Sequence, residues 1–299
     1  MNDVAWLTER FEDHRPRLRA VAFRMLGSLS EADDAVQEAW LRFTRADRGE
    51  VGNLGGFLTT VVARVCLNML RSRRQRGEEP LDVHVPDPVV SADADPEHQA
   101  VLADAVGLAL LVVLEALSPA ERVAFVLHDM FAVPYEEIAP MLERSPAATR
   151  QLASRARRRV QGQAVTPDPD LTRQREVVDA FFAAARKGDL EGLIAVLDPE
   201  VVLRADGGAS RARQTFTMRG AEQVAGQAIT GERFAPFVRP ALINGAAGVV
   251  VVAKDRVLSI MGFTVAHGRI VAIDVLWDPD RLTDVDLSRL PPAGGAARP

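Results

Sequence analysis

Residues 134–160 read PYEEIAPMLERSPAATRQLASRARRRV. Tyr135 to Leu142 predicts a short helix, and Glu143 to Ser145 a tight turn. Ser145 then serves as N-cap of a second helix, with Pro146 at its first position, where a missing N–H costs nothing. That helix carries Arg150, Arg155, Arg157, Arg158 and Arg159 and no acid. Two short helices at this spacing, the second one basic, predict a helix-turn-helix with a recognition helix.

An Arg-rich helix end can simply complement the helix dipole. Two details point further. Ala148, Leu152, Ala153, Ala156 and Val160 form a narrow stripe of small apolar residues, so the helix can lie close against a partner. The opposite face offers Arg150, Gln151, Ser154, Arg155 and Arg158. Arg and Gln pair bidentately with guanine and adenine edges in the major groove. Ser145 and the clustered arginines, Arg157 among them, suit phosphates.

Composition sets the frame. The chain has 299 residues, enough for two or three domains, and a net charge of −5. DNA affinity must therefore come from local basic patches. The single cysteine, Cys66, lies in an apolar helical pattern and cannot form an internal disulfide, which favours a reducing, cytoplasmic setting. The N-terminus has no signal-peptide pattern. The longest apolar run, Val101 to Leu117, is broken by Asp104 and Glu115, so no membrane span is expected.

Working outward, Ala5 to Arg76 reads as helical. Leu18, Val21, Ala22, Met25 and Leu26 share one face, and a turn follows at Gly27 and Ser28. Ser30 is read as the cap of a helix to Arg45, and a Gly-rich loop, Arg48 to Gly56, precedes a third helix, Phe57 to Arg76. Residues 77–97 hold four prolines and seven acids with no Lys or Arg, an extended acidic linker. Helices are expected again from His98 to Val160, with Ser118 and Pro119 opening one of them. A second linker, residues 165–170, leads into two helices, Leu171 to Arg186 and Leu190 to Val196. Strands follow at Val201 to Arg204, Gly248 to Ala253, Val257 to Val265 and Ile270 to Trp277, with His267-Gly268 as a hairpin turn. This predicts an α+β domain on a curved antiparallel sheet over residues 171–285, and a disordered tail over 286–299.

Ser30 to Phe43, SEADDAVQEAWLRF, resembles the polymerase-docking helix of bacterial sigma factors. An Arg-rich third helix, an acidic linker and a helix-turn-helix follow in the order of an extracytoplasmic-function sigma-70 factor. The resemblance implies two all-α domains: residues 1–76, which dock on core RNA polymerase and hold the promoter −10 element, and residues 98–164, which read the −35 element. Asp33, Asp34, Gln37, Glu38 and Trp40 match the docking helix. Arg48 to Gly56 matches a base-capturing loop, although it has no aromatic for a base to stack on. Arg64, Asn68, Arg71, Arg73 and Arg74 match the helix along the non-template strand, where an unpaired strand needs a basic groove. The linker is implied to thread through the polymerase, its acids mimicking nucleic acid.

Residues 171–282 resemble a SnoaL-like domain of the nuclear-transport-factor-2-like superfamily, a cone-shaped α+β fold. A sigma-factor group of the SigJ type joins such a domain to the extracytoplasmic-function core. That group has an Asp-Gly-Gly-Gly-Lys and an Asn-Pro-Asp-Lys-Leu stretch. Here they stand as Asp206-Gly207-Gly208-Ala209-Ser210 and Asp278-Pro279-Asp280-Arg281-Leu282. The first lacks its last Gly and its Lys, for which Arg211 or Arg213 is the substitute. A regulatory role in cis is expected for Asp206, Gly207, Gly208, Asp278, Pro279 and Asp280. Asp274 and His267 are the general-base candidates of a cone-type enzyme, but no acid–base partner stands at readable spacing. No catalytic residue, cofactor or metal is assigned. Two other readings stay open: a SnoaL-type isomerase or cyclase fused to a DNA-binding half, and a one-component regulator with a small ligand in the cone.

Overall fold

The computed structural model describes residues 3–45, 53–75, 83–91, 107–163, 165–283, 285 and 290. The chain forms two compact units, Met1–Glu79 with Val113–Gln163, and Pro80–Val112 with Ala164–Pro299.

The first unit is helical. α1 (Asp3–Leu26), α2 (Leu29–Arg45) and α3 (Leu54–Gln75) pack through Phe11, Leu18, Met25, Val36, Phe43, Leu58, Val62 and Leu67, all buried. Each large apolar side chain removed from water contributes about 1.5–3 kcal/mol, so this set drives the bundle. α2 starts one residue before Ser30. Ser28 Oγ, not Ser30, accepts the Glu31 N–H at 3.5 Å. α3 starts at Leu54 rather than Phe57 because Asn53 caps it, accepting the Gly56 N–H at 3.0 Å. By length and composition α3 could cross a membrane. Its apolar side is instead core: Leu58, Val62, Val65, Cys66 and Leu70 are buried.

After α4 (Leu108–Glu115), a capping box opens α5 (Pro119–Phe125): Ser118 accepts the Glu121 N–H, and Glu121 accepts from Ser118. A π-turn, Val126–Met130, leads to α6 (Tyr135–Leu142) and α7 (Pro146–Gln163). Glu143 takes the left-handed φ of 55° that ends α6. Within this unit Arg122, 3% exposed, donates to the Met25 carbonyl at 2.8 Å and pairs with Glu115 at 3.0 Å. The guanidinium of Arg24 lies over the Phe131 ring. The two sigma-like helical segments therefore pack against each other in one body.

The second unit is α+β. α8 (Leu171–Lys187), α9 (Leu190–Val196) and α10 (Ala221–Thr230) cover one face of a seven-stranded sheet. The strands are β1 (Val90–Ser91), β2 (Leu197–Asp206), β3 (Phe216–Arg219), β4 (Val238–Ile243), β5 (Ala246–Ala253), β6 (Arg256–Ala266) and β7 (Arg269–Leu276), in the order β1-β4-β5-β6-β7-β2-β3. β4 to β7 form a meander whose three turns, Asn244-Gly245, Lys254-Asp255 and His267-Gly268, all take positive φ, the geometry of two-residue hairpins.

Several expectations are corrected here. The sheet is mixed, because β2 runs parallel to β7. Hydrophobic periodicity carries no strand direction. β4, with Pro240 in it, is a strand beyond those expected. Pro240 is tolerated because β1 pairs with Leu242 and Ile243, and among the described residues that stretch of β4 has no outer neighbour. β3 and α10 are further elements beyond those expected. Residues 83–91, expected as a free linker, belong to this unit. Val285 and Leu290 pack against its second core cluster, although Leu290 was placed in a disordered tail.

Candidate nucleic-acid interface and linker-binding site

On α7 the predicted faces separate cleanly. Leu152, Ala153, Ala156 and Val160 are buried, with Thr149 beside them. Ser145, Arg150, Gln151, Arg155 and Arg158 are exposed, and Ser154 half-buried. Ser145 Oγ caps the helix, accepting the Ala148 N–H at 3.2 Å. Arg150 lies over the Tyr135 ring at 5.3 Å, and Tyr135 stacks on His128 at 3.8 Å. The guanidinium is thus held on α6 before any ligand arrives. Arg157 is engaged inward: Nε donates to Asp129 Oδ1 at 2.8 Å. Arg159 pairs with Glu121 at 3.1 Å, tying α7 to the α5 capping box.

Along α3, Arg64, Asn68, Arg71 and Arg74 are exposed. Their spacing of four, three and three residues puts them on one side of the helix. Arg73 is half-buried, donating to Glu31 and to the Leu26 carbonyl. Of the residues matched to the base-capturing loop, 48–52 lie outside the described residues. On α2, Asp33, Asp34 and Gln37 are exposed; Asp33 pairs with Arg19 at 2.7 Å, and Glu38 with Arg42 at 2.8 Å. Trp40 packs on Phe11 with ring centroids 5.0 Å apart, so it is part of the apolar seam under that surface.

The second unit joins the two motif stretches that sequence singled out. Gly208 has φ of 66°, and a Cβ there would run into the Asp278 carboxylate. Asp206 Oδ1 accepts the Gly208 N–H at 3.0 Å. Asp278 Oδ1 accepts the Asp280 N–H at 3.0 Å, which turns the chain so that Arg281 reaches back. Arg281 NH1 donates to Asp206 Oδ2 at 2.9 Å. Arg211, not Arg213, supplies a further cationic contact, to the Trp277 carbonyl at 3.0 Å.

What this cluster holds is the segment between the two helical regions. Asp206 Oδ2 accepts the Val85 N–H at 2.9 Å, and His84 Nδ1 stands 3.5 Å away. Arg281 donates to the Val85 carbonyl at 2.6 Å and to Asp87 at 2.7 Å. Asn244 adds an edge contact, its side chain accepting the Val89 N–H at 3.0 Å and its own N–H donating to the Val89 carbonyl at 2.8 Å. β1 then extends the sheet, Val90 opposite Ile243 and Ser91 opposite Leu242. Val83, Val85 and Leu108 bury against Ile243, Val250, Val252, Ile260, Leu276 and Leu282. Leu108 lies over Gly262, where a Cβ would come within 2.8 Å of it. Burial opposes ionisation of Asp206. His84, the Val85 and Gly208 N–H groups and Arg281 outweigh it and hold the carboxyl at about 2. Arg281 was the residue sequence reasoning missed here; its signal was that it fills the Lys position of the second stretch.

Asp274 is 1% exposed. Burial pushes its pKa up, opposed by Arg204 at 3.0 Å. A register shift between Thr264 and Val265, against Ala272 and Ile270, puts Ile270 in the helix-side core and interrupts the strand's two-residue alternation. His267 sits exposed in its turn, its N–H donating to Asp168 at 3.0 Å. Neither residue lines the cavity of about 380 Å³ bounded by Ile194, Leu197, Arg219, Glu222 and Arg269. Among the described residues no cluster of His, Cys, Asp and Glu is arranged to hold a metal.

Comparison with known proteins agrees with this architecture. Residues 10–76 match the family model "Sigma-70 region 2", and residues 107–160 match "Sigma-70, region 4". The chain is 39% identical to ECF RNA polymerase sigma factor SigJ of Mycobacterium tuberculosis, over 95% of this chain and 96% of the relative. It is 36% identical to the probable ECF RNA polymerase sigma factor SigI of the same species, over 90% and 92%. The crystal structure of M. tuberculosis SigJ superposes with a TM-score of 0.74 at 36% identity, covering 92% of this chain and 98% of that one. With region 2, region 4 and the α+β unit all accounted for, the chain belongs to the extracytoplasmic-function RNA polymerase sigma factors, the subunits that direct promoter-specific transcription initiation.

Proposed function

We propose that the two helical regions divide the promoter between them. α7 enters the major groove of the −35 element, with Arg150, Gln151, Ser154, Arg155 and Arg158 toward bases and phosphates and Ser145 on the backbone. α3 runs along the −10 non-template strand through Arg64, Asn68, Arg71 and Arg74. α2 offers Asp33, Asp34, Gln37 and Glu38 to core RNA polymerase. The observation that carries this is the sorting of α7, where the small residues are buried and the base-reading types exposed. Arg73 and Arg157 serve mainly as internal ties, given their partners Glu31 and Asp129.

The C-terminal unit regulates this activity in cis, through its hold on residues 83–91. Its Asp206, Gly207, Gly208, Asp278, Pro279 and Asp280 form the frame of that hold. A small-ligand role for the cone would have its seat in the cavity beside Arg219 and Arg269. Run-off transcription with purified core polymerase tests the first reading. Promoter-dependent transcripts are expected with the chain and absent without it. Failure to support initiation from any selected promoter would remove the reading.

A further inference from the structure

Tyr135 is the chain's only tyrosine, and two arginines of α7 converge on it. Arg150, itself exposed, lies over the ring at 5.3 Å. Arg157, held by Asp129, has the Tyr135 hydroxyl beside it. These arginines stand two helical turns apart, about 10.5 Å along the axis. One side chain of α6 therefore fixes how α7 is turned. The ring is itself held. Tyr135 is 8% exposed and stacks on His128 with 24° between the planes. His128 Nδ1 donates to the Val133 carbonyl at 3.0 Å, since a carbonyl can only accept. Ala132 takes a φ of 55°, and the Val133 N–H returns to the Leu127 carbonyl at 2.9 Å. The chain thereby doubles back after the π-turn and lays Tyr135 on His128, while Asp129 of the same turn takes Arg157.

An arginine that only meets a phosphate has no use for such a support, because a phosphate accepts a cation from many directions. Reading a guanine edge is stricter. Two parallel N–H groups of the planar fork must meet O6 and N7 together. Arg150 stands in the second turn of α7, near the end of a recognition helix that meets base edges. Packing on an aromatic face fixes the plane of the guanidinium, which is the coordinate that bidentate reading needs.

We propose that Tyr135, backed by His128, is the positioning residue that makes Arg150 a guanine reader in the −35 element. Tyr135 acts through Arg150, by ordering the guanidinium before the base arrives. Its effect therefore falls on discrimination at one base pair and not on affinity for DNA in general. The inference rests on the reading of α7 as the −35 helix.

The test uses the full chain with core polymerase, on a promoter selected from random DNA by the wild-type holoenzyme. Each −35 base pair is substituted in turn, and run-off transcription gives the discrimination at each. Arg150→Ala is expected to abolish discrimination at one guanine. Tyr135→Leu fills the space without an aromatic face. It is expected to cut discrimination at that guanine by about three- to tenfold, the worth of ordering one long side chain, and to leave the other positions within about twofold. Tyr135→Phe is expected to keep the discrimination, and Tyr135→Leu to add nothing in the Arg150→Ala background. A second measurement serves if Tyr135→Leu does not fold. Isotope labelling of the one tyrosine gives a single set of ring signals, which Arg150→Ala is expected to shift in the free protein. Equal loss at every −35 position in Tyr135→Leu marks a structural role and overturns the proposal. So does relaxation by Arg150→Ala at a base other than guanine, or at a guanine that Tyr135→Leu still reads in full. Ring signals indifferent to Arg150→Ala overturn it as well. Discrimination that depends on Gln151 or Arg155 but not on Arg150 overturns it and leaves α7 as the reader. No change at any position in Arg150→Ala, Gln151→Ala and Arg155→Ala overturns the −35 reading of α7 itself.

Discussion

At the scale of single residues, Asp206 and Arg150 show two kinds of preparation. Asp206 is 2% exposed and charged, which is tolerable only because four donors converge on it. Its carboxyl falls from 3.8 to about 2 on folding, a difference worth about 2 kcal/mol. Because the folded value is the lower one, this stability is present above pH 4 and is lost as pH falls from about 4 to 2. Across that window His84, Arg281 and the ion pair of Arg281 with Asp87 face the group. Asp206→Asn should therefore lower stability by about 2 kcal/mol at pH 7 and flatten the acid limb between pH 4 and 2. Denaturant melts across that range check both. Arg150 is held on Tyr135 rather than free to search. Arg150→Ala should cost about 1–3 kcal/mol on a cognate −35 duplex and relax one base position. Equal weakening on all sequences, measured by titration at fixed salt, would make it a phosphate contact instead.

Elements depend on such residues at their joints. Ser118, Ser145 and Asn53 start helices by satisfying otherwise orphaned N–H groups. The loop after β2 depends on Gly208 twice, for its φ of 66° and for the Asp278 carboxylate where a Cβ would stand. Gly208→Ala should cost about 2 kcal/mol or more and loosen Arg281 through Asp278. Thermal melting together with hydrogen exchange of the Val85 amide reports both effects; an unchanged exchange rate would mean that the turn and the clamp are independent. β1 is only two residues long and would not persist unaided. It exists because the Asn244 hairpin and the β4 edge supply its partners.

For the whole molecule, the second core cluster has a consequence. Val83 and Val85 come from the segment between regions 2 and 4 and Leu108 from the start of region 4, while Ile243, Val250, Ile260 and Leu276 come from the C-terminal sheet. A chain ending after Ala164 should keep a helical signal but present residues 83–91 to protease. A fragment starting at Val165 should expose the matching sheet face and self-associate. Adding residues 80–112 to that fragment as a fused segment should restore a monomer in size-exclusion chromatography. Monomeric behaviour of the bare fragment would contradict this.

The amino-acid sequence by itself determined the helices, the helix-turn-helix, the exposed face of α7 and the order of domains. Those features are local: caps, a period of 3.6 and turn dipeptides act within a few residues. The resemblance to the sigma-factor group marked both stretches of the C-terminal unit, at Asp206 and at Asp278. Their meeting was not legible, nor was their grip on Val85, more than a hundred residues away. The acids of residues 77–97 read as a solvated spacer because composition does not reveal that Val83 and Val85 have a cluster to enter. The parallel pairing of β2 with β7, the shift that turns Ile270 away from the face of Asp274, and the strand made from Val90 and Ser91 were decided only by tertiary structure. Each depends on long-range pairing, and such pairing is chosen by which buried surfaces and unpaired backbone edges are left once the local elements have formed.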